Sequence, residues 1–403
     1  MKSRIFNWRL IVITIVVFEI IYRAPYLFSN PRFWAEEGRY FYKGIYFFWY
    51  EALFSPQQGY YSLFPNLATL LAARLSPLEY APLITTIAAF IAQLLPYIII
   101  LYRLKNRLQP IQQILFCIIT LFVVNTGEIW LNTITTQFHL AVAAFIILLA
   151  NHDELNRYVT LFDRIVLIIS GLTGVITCFL LPAFAIRWYL DKSKNLLTLN
   201  IILIISCIVQ LCYITYTATL GSGVGNRFFF PGLASIIKTW QVQFLLWPIL
   251  GSQWKEILGA ELLGGSVAIS ILLIALSTAT HMNRQYSIPI IIAFLTVSIL
   301  SLVGSLGMGG GWRYGYVPAV ILLSLFVIGT NKDTQKLHKI LSWFIISLSV
   351  GFWVSNYREA LKPWVVPDGP VWMEEVQMWR KNPNRPLQIY PQWERAKWHI
   401  KLH

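Results

Sequence analysis

Apolar runs of roughly 20 residues recur along almost the whole chain, and that is the length a helix needs to cross the hydrocarbon core of a bilayer. Backbone polar groups in lipid must be bonded within their own segment, so the runs fold as helices and the chain reads as an all-α polytopic membrane protein. Composition agrees, with 57% of the 403 residues hydrophobic and 12% charged. The formal net charge of +14 does not point to nucleic acid, because Lys and Arg fall mostly in short clusters at the ends of apolar runs. That placement reports orientation in the membrane and leaves the lipid bilayer, with its anionic headgroups, as the partner. Cys117, Cys178, Cys207 and Cys212 lie inside apolar runs without metal-ligand spacing and are assigned no chemistry.

Lys2, Arg4 and Arg9 precede the first run, which holds Glu19 and Arg23 and lacks a small-residue cleavage site. It is therefore expected to stay as a first helix, about 7–27, with a cytoplasmic N-terminus. Glu19 and Arg23, four apart on that helix, read as a mutually satisfied pair. Residues 59–75 are expected as a juxtamembrane helix, since a span there would place Arg103, Lys105 and Arg107 outside. Runs 79–102, 110–124 and 139–150 then cross in turn, and 165–190, broken by Gly171, Gly174 and Pro182, reads as two short helices going out and back. Runs 195–217, 262–280, 287–305, the segment after GMGGGWRYGYVP and 341–355 bring the expectation to about eleven spans.

This divides the chain into a transmembrane domain, 1–356, and a small external C-terminal domain, 357–403. External loops are expected at about 28–78, 125–138, 218–261 and 306–315. In the tail, Val371, Val376 and Trp379 suggest a short amphipathic helix, followed by a turn at 382–386 and an apolar stretch through Leu387, Ile389 and Trp393 that packs over the external face.

The stretch 30–66, NPRFWAEEGRYFYKGIYFFWYEALFSPQQGYYSLFPN, sets two adjacent carboxylates, Glu36 and Glu37, among Phe33, Trp34, Tyr40 and Phe41. Such rings suit the headgroup level, with the charges facing a cavity. Ionisable residues at that level are costly and become functional candidates by default. Glu128 in the second loop, Arg227 after GSGVG and Arg313 beside Tyr314 fall on the same expected face. Carboxylates plus guanidinium groups match a reaction in which a sugar leaves an anionic phosphate. A carboxylate takes the acceptor hydroxyl's proton, and arginines, with or without a divalent cation, stabilise the departing phosphate.

Each of these residues also has an ordinary reading. Adjacent glutamates can be solvated interfacial charges, Glu128 a loop cap, Arg313–Tyr314 an interface anchor, and GSGVGNR a flexible turn. GSGVG is no dinucleotide fingerprint, because no strand precedes it. His139, near Gln137 and Asn132, either lines the pocket or makes a local hydrogen bond.

The motifs FWAEEG, YYSLFPN, EIWLN before a His-headed helix, WRYGYVP and the closing W-x-x-E-V-x-x-W with IYPQW resemble a bacterial branch of the GT-C superfamily of membrane glycosyltransferases. So do the first-helix orientation, the paired acids after it and the acid in the next loop. The resemblance implies a polyprenyl-phosphate-linked sugar donor, a glycan or lipid acceptor at the outer face of a bacterial plasma membrane, and a general base in the first loop at Glu36 or Glu37. It implies a second acidic site at Glu128 and donor-phosphate contacts from Arg313, Tyr314 and Arg227. Tyr60, Tyr61, Asn66, Asn132, Gln137 and His139 would line the pocket. The superfamily pair is often Asp-Glu or Asp-Asp; Glu-Glu reaches further, which leaves open which acid is the base and whether Glu37 and Glu128 hold Mg or Mn. Two rival expectations stand beside this one: a flippase or transporter of a lipid-linked saccharide, with charges at the midplane and an internal repeat, and a polysaccharide polymerase or ligase leaning on external arginines.

Overall fold

The computed structural model describes residues 7–57, 59–124, 127–152, 156–220, 232–251, 253–305, 311–357, 369–393 and 396–403; Arg227 lies outside them. Helix α1 spans Trp8–Arg23, and a single turn, α2, follows at Tyr26–Ser29. The paired acids open α3 (Glu37–Tyr46), which is followed by α4 (Trp49–Phe54) and α5 (Leu63–Leu75). The bundle continues with α6 (Ala81–Arg103), α7 (Pro110–Phe122), α8 (Thr136–Leu149), α9 (Arg157–Gly171), α10 (Leu181–Asp191) and α11 (Lys194–Thr219). Then come α12 (Leu233–Gln241), running through a π turn into α13 (Trp247–Leu250), and α14 (Trp254–Leu258). The long helices α15 (Glu261–Thr280), α16 (Arg284–Ser305), α17 (Tyr316–Gly329) and α18 (Lys336–Ser355) close the bundle. The tail adds α19 (Trp372–Lys381) and an antiparallel hairpin of β1 (Leu387–Trp393) and β2 (Ala396–Ile400).

Among the described residues, seven helical stretches are long and apolar enough to cross a membrane: Leu78–Arg103, Lys194–Thr219, Leu233–Leu250, Glu261–Thr280, Arg284–Ser305, Trp312–Gly329 and Lys336–Ser355. α5, α7 and α8 are shorter apolar helices. The fold is that of a helical multi-pass membrane protein. Every residue of α8 is buried, and so is nearly all of α17. Helices apolar all round belong in the centre of a bundle, and these two form its axis. α8 can therefore be short, because protein rather than lipid surrounds it. On the outside, Leu10, Phe18, Ile205, Leu211, Leu262 and Leu273 present bare apolar side chains, as a lipid-facing rim requires.

One expectation changes on inspection of the packing, and one region gains detail. Within 218–261, Leu233–Leu250 is helical throughout. Its polar partners lie on α15, α16, α18 and the segment leading into α17, and Trp240 donates to Ser298 Oγ at 2.9 Å. Lys238 pairs with Glu261 at the first residue of α15, Gln243 donates to the Gly311 carbonyl, and Pro248 O accepts from Ser349 and Trp353 near the end of α18. Arg23, in turn, is not paired to Glu19: its guanidinium lies between Trp130 and Tyr357, 4.3 and 4.2 Å from their ring centres, and donates to Tyr357 O. The aromatic sandwich holds the ends of α1, the second acid loop and α18 together.

The break in 165–190 falls at 172–176, between α9 and a short 3-10 turn at Thr177–Leu180. Gln210, midway along α11, fastens that break to the start of α5: its amide accepts from Tyr61 N and donates to the carbonyls of Tyr61, Gly171 and Gly174. The tail docks on the first loop through a second apolar core of Phe33, Phe41, Trp372, Val376, Leu387, Ile389 and Ile400. Trp372 also donates to Leu78 O at the head of α6.

Candidate active site

The loop between α2 and α3 is drawn into place by the tail. Tyr390 of β1 bridges to Trp34 as a strand would, its carbonyl accepting from Ala35 N at 2.6 Å, and its ring packs 5.2 Å from that of Trp34. Ala35 is held at φ +43°, a left-handed conformation that costs an L-residue energy and persists only when its surroundings impose it. Val124 and Leu131, on either side of the second acid, share this conformation at φ +48° and +52°. Of the four left-handed non-glycine residues among the described ones, three thus flank the acid loops.

The two glutamates are not equivalent. Glu37 is 2% exposed, and both its carboxylate oxygens are spent on the two loops: Oε2 accepts from Trp34 N at 2.7 Å, while Oε1 accepts from Thr133 N at 2.7 Å and Thr133 Oγ1 at 2.5 Å. It ties the first acid loop to the second. Burial pushes its pKa up, the three donors pull it back, and neighbouring Glu36 adds to the rise. Glu36, at the N-cap of α3, is half-buried, and its carboxylate makes no hydrogen bond or ion pair among the described residues. Tyr40, one turn on, is buried; burial first, then Tyr60, pushes its pKa well up.

The second acid loop is folded around Asn132. Its Nδ2 donates to Glu128 O at 2.7 Å, and its Oδ1 accepts from Thr135 N and Oγ1. Glu128 and Arg313, 185 positions apart, form an ion pair with about a fifth of each side chain exposed. Arg313 also lies over Tyr314, which packs edge-on against Phe138 at 5.7 Å. One loop thus links Glu37, held by Thr133, to Glu128 and its partner Arg313, with Glu36 beside the first and Tyr314 beside the last.

The expected pocket-lining residues divide in two. Tyr60, half-buried, accepts from Gln137 at 3.0 Å and faces the Tyr40 side of the site. The others hold backbone. Asn66 donates to Leu53 O and Ser55 O, Tyr61 packs on Tyr213 at 4.9 Å and donates to Leu53 O, and His139 bonds Ile129 O while packing on Tyr316. Asn66, Asn132 and His139 are all under 5% exposed and shape the loops from behind. Sequence reading passed over Thr133 and Gln210, which nothing local marks, since each acts on a partner far along the chain; Tyr390, inside the IYPQW motif, and Tyr40, on the helix begun by the acids, had a visible signal.

Glu37 and Glu128 do not fit as ligands of one divalent cation. The first spends its oxygens on three donors and the second is paired with Arg313, and no cluster of three His, Cys, Asp or Glu that could hold a metal occurs among the described residues.

No family model matches the chain, and no curated protein matches it in sequence. Among solved structures it is similar to an Archaeoglobus fulgidus oligosaccharyltransferase crystallised with an acceptor peptide tethered through a disulfide bond. The TM-score is 0.45 and the identity 11%, over all of this chain and 61% of that one.

Proposed function

We propose that the chain is an inverting glycosyltransferase that moves a hexose or pentose from a polyprenyl-phosphate carrier to a glycan or lipid acceptor at the outer side of a bacterial plasma membrane. The observation that carries this reading is the inequality of the two acids: Glu37 is wholly committed to holding the loops, and Glu36, next to it, is accessible and uncommitted.

In this mechanism Glu36 takes the proton of the acceptor hydroxyl as the oxygen attacks the anomeric carbon. The bond from that carbon to the phosphate oxygen breaks, and its electron pair leaves with the polyprenyl phosphate. The phosphate is already a good leaving group, so no strong acid is required. Arg313 exchanges Glu128 for the phosphate and stabilises its growing charge, with Tyr314 beside it. Glu37 is a positioning residue, and no step uses a metal. A flippase would place its charges near the middle of the bundle; the acids here sit at helix ends, which favours transfer.

The test is lipid analysis of cells that lack the native gene and carry either wild type or Glu36→Gln. A polyprenyl-monophosphate sugar that accumulates only with Glu36→Gln supports transfer and identifies the donor. If neither strain accumulates a polyprenyl-monophosphate sugar, and a lipid-linked oligosaccharide is instead trapped on the cytoplasmic side with Glu36→Gln, the reading passes to a flippase.

A further inference from the structure

Along α3 the residues divide into two stripes. Glu37, Tyr40, Phe41 and Gly44 face inward, whereas Glu36, Arg39 and Lys43 follow one another at three- and four-residue steps on the other side. That outer stripe leads from the candidate base into a cavity of about 370 Å³ between α3 and the end of β2. The volume falls within the range of small-molecule sites, about 300–1,000 Å³.

The lining is one-sided in charge. Arg39 and Lys43 meet His399 and Lys401 from the tail, with Tyr42 as an aromatic wall, and no Asp or Glu side chain is among the lining residues. Lys43 donates to Ser55 Oγ at 3.1 Å, and Arg39 lies over Trp398, so neither cation is neutralised by these contacts. Burial and then the like charge of Arg39 push the Lys43 pKa down. Gln57, which also lines the cavity, has a buried side-chain amide nitrogen with no partner among the described residues. Clustered cations and an unspent donor, with no Asp or Glu side chain in the lining, are what an anionic ligand requires.

We infer that this cavity is the acceptor subsite and that the acceptor is a saccharide carrying a carboxylate or phosphate near its reacting hydroxyl. The assignment rests on the transferase reading above and extends it to substrate class. The donor phosphate is assigned to Arg313, which is paired with Glu128 of the second loop, so the stripe from Glu36 through Arg39 to Lys43 is left for the acceptor. Arg39 and Lys401 take the anionic group, Tyr42 packs on the sugar face, and the free hydroxyl is presented to Glu36.

The test measures binding, independently of turnover. Glucuronate, glucose 6-phosphate and glucose are titrated calorimetrically into the full chain in nanodiscs of phosphatidylcholine. Both anions are expected to bind, more weakly at high salt, and glucose not to bind. Arg39→Gln combined with Lys401→Gln raises the dissociation constants of both anions about tenfold, and Arg39→Lys with Lys401→Arg restores most of the loss. Anion binding is read without turnover, so a failure of the transferase reading, which the lipid analysis of the Glu36→Gln strain detects, is seen separately from a failure of this inference. Equal binding of glucose, or wild-type affinity in the double Gln variant, overturns the inference. Loss of glucuronate binding when phosphatidylglycerol replaces a third of the lipid also overturns it, assigning the cavity to a bilayer headgroup.

Discussion

Replacing Glu37 by Gln keeps shape and removes charge, and the structure says where the loss falls. With the amide oxygen at Oε1, the two donors of Thr133 keep an acceptor, but the new NH2 faces Trp34 N, donor against donor. Flipping the amide moves the conflict to Thr133 N, while the Thr133 hydroxyl turns to accept from the new NH2, so one backbone donor is stranded in either orientation. A hydrogen bond to a charged group contributes about 1.5–3 kcal/mol and a stranded buried donor costs about 1–3 kcal/mol. Relief of the carboxylate's burial offsets part of this, leaving a net cost of about 2–3 kcal/mol. If the loops open locally, hydrogen exchange reads that cost directly: protection of the Trp34 and Thr133 amides falls about 30- to 150-fold, while Glu36→Gln leaves both unchanged. Unaltered protection at the two amides in Glu37→Gln would refute the assignment of Glu37 as the tie between the loops.

The same residue predicts a pH dependence. Its folded pKa lies above the ordinary value of 4.5, so the folded chain keeps a proton that the unfolded chain has released. Its contribution is therefore fully present below 4.5 and is lost as pH rises through the raised value. The melting temperature of wild type relative to Glu37→Gln should fall over that rise. Gly174→Ala places a methyl at φ +85° against the Gln137 amide, which costs about 2–4 kcal/mol by thermal unfolding and loosens the Gln137–Tyr60 bond. Glu128→Gln removes the carboxylate that Arg313 must give up, so the donor KM should fall with kcat little changed; a hundredfold loss of kcat would instead make Glu128 a participant.

Much of the architecture is legible from the sequence because it is local. The apolar periods mark α6, α11, α15, α16 and α18; Gly171 and Gly174 mark the break after α9; and Val371, Val376 and Trp379 mark α19. Leu233–Leu250 is hidden by its interior polar residues Lys238, Gln241 and Gln243, whose partners lie elsewhere in the bundle. The hairpin is hidden because β1 acquires its role by pairing with Trp34, more than 350 positions earlier. At the site, FWAEEG shows two carboxylates but not their division of labour. That division depends on Thr133, 96 positions away, and no spacing rule reaches so far. Asn66, Asn132 and His139 look like pocket residues by type and position, yet each satisfies a backbone group in an irregular turn that sequence does not reveal.

The central claim is that Glu36 holds the acceptor's proton while Glu37 holds the loops. The direct measurement is single-turnover transfer from the polyprenyl-phosphate sugar identified by lipid analysis, using purified wild type, Glu36→Gln and Glu37→Gln. Loss of a general base costs about 100- to 10,000-fold in rate. The account predicts that loss in Glu36→Gln with its unfolding temperature unchanged, and a smaller rate loss in Glu37→Gln accompanied by destabilisation. Near wild-type transfer by Glu36→Gln, or the full loss falling on a normally stable Glu37→Gln, would contradict it.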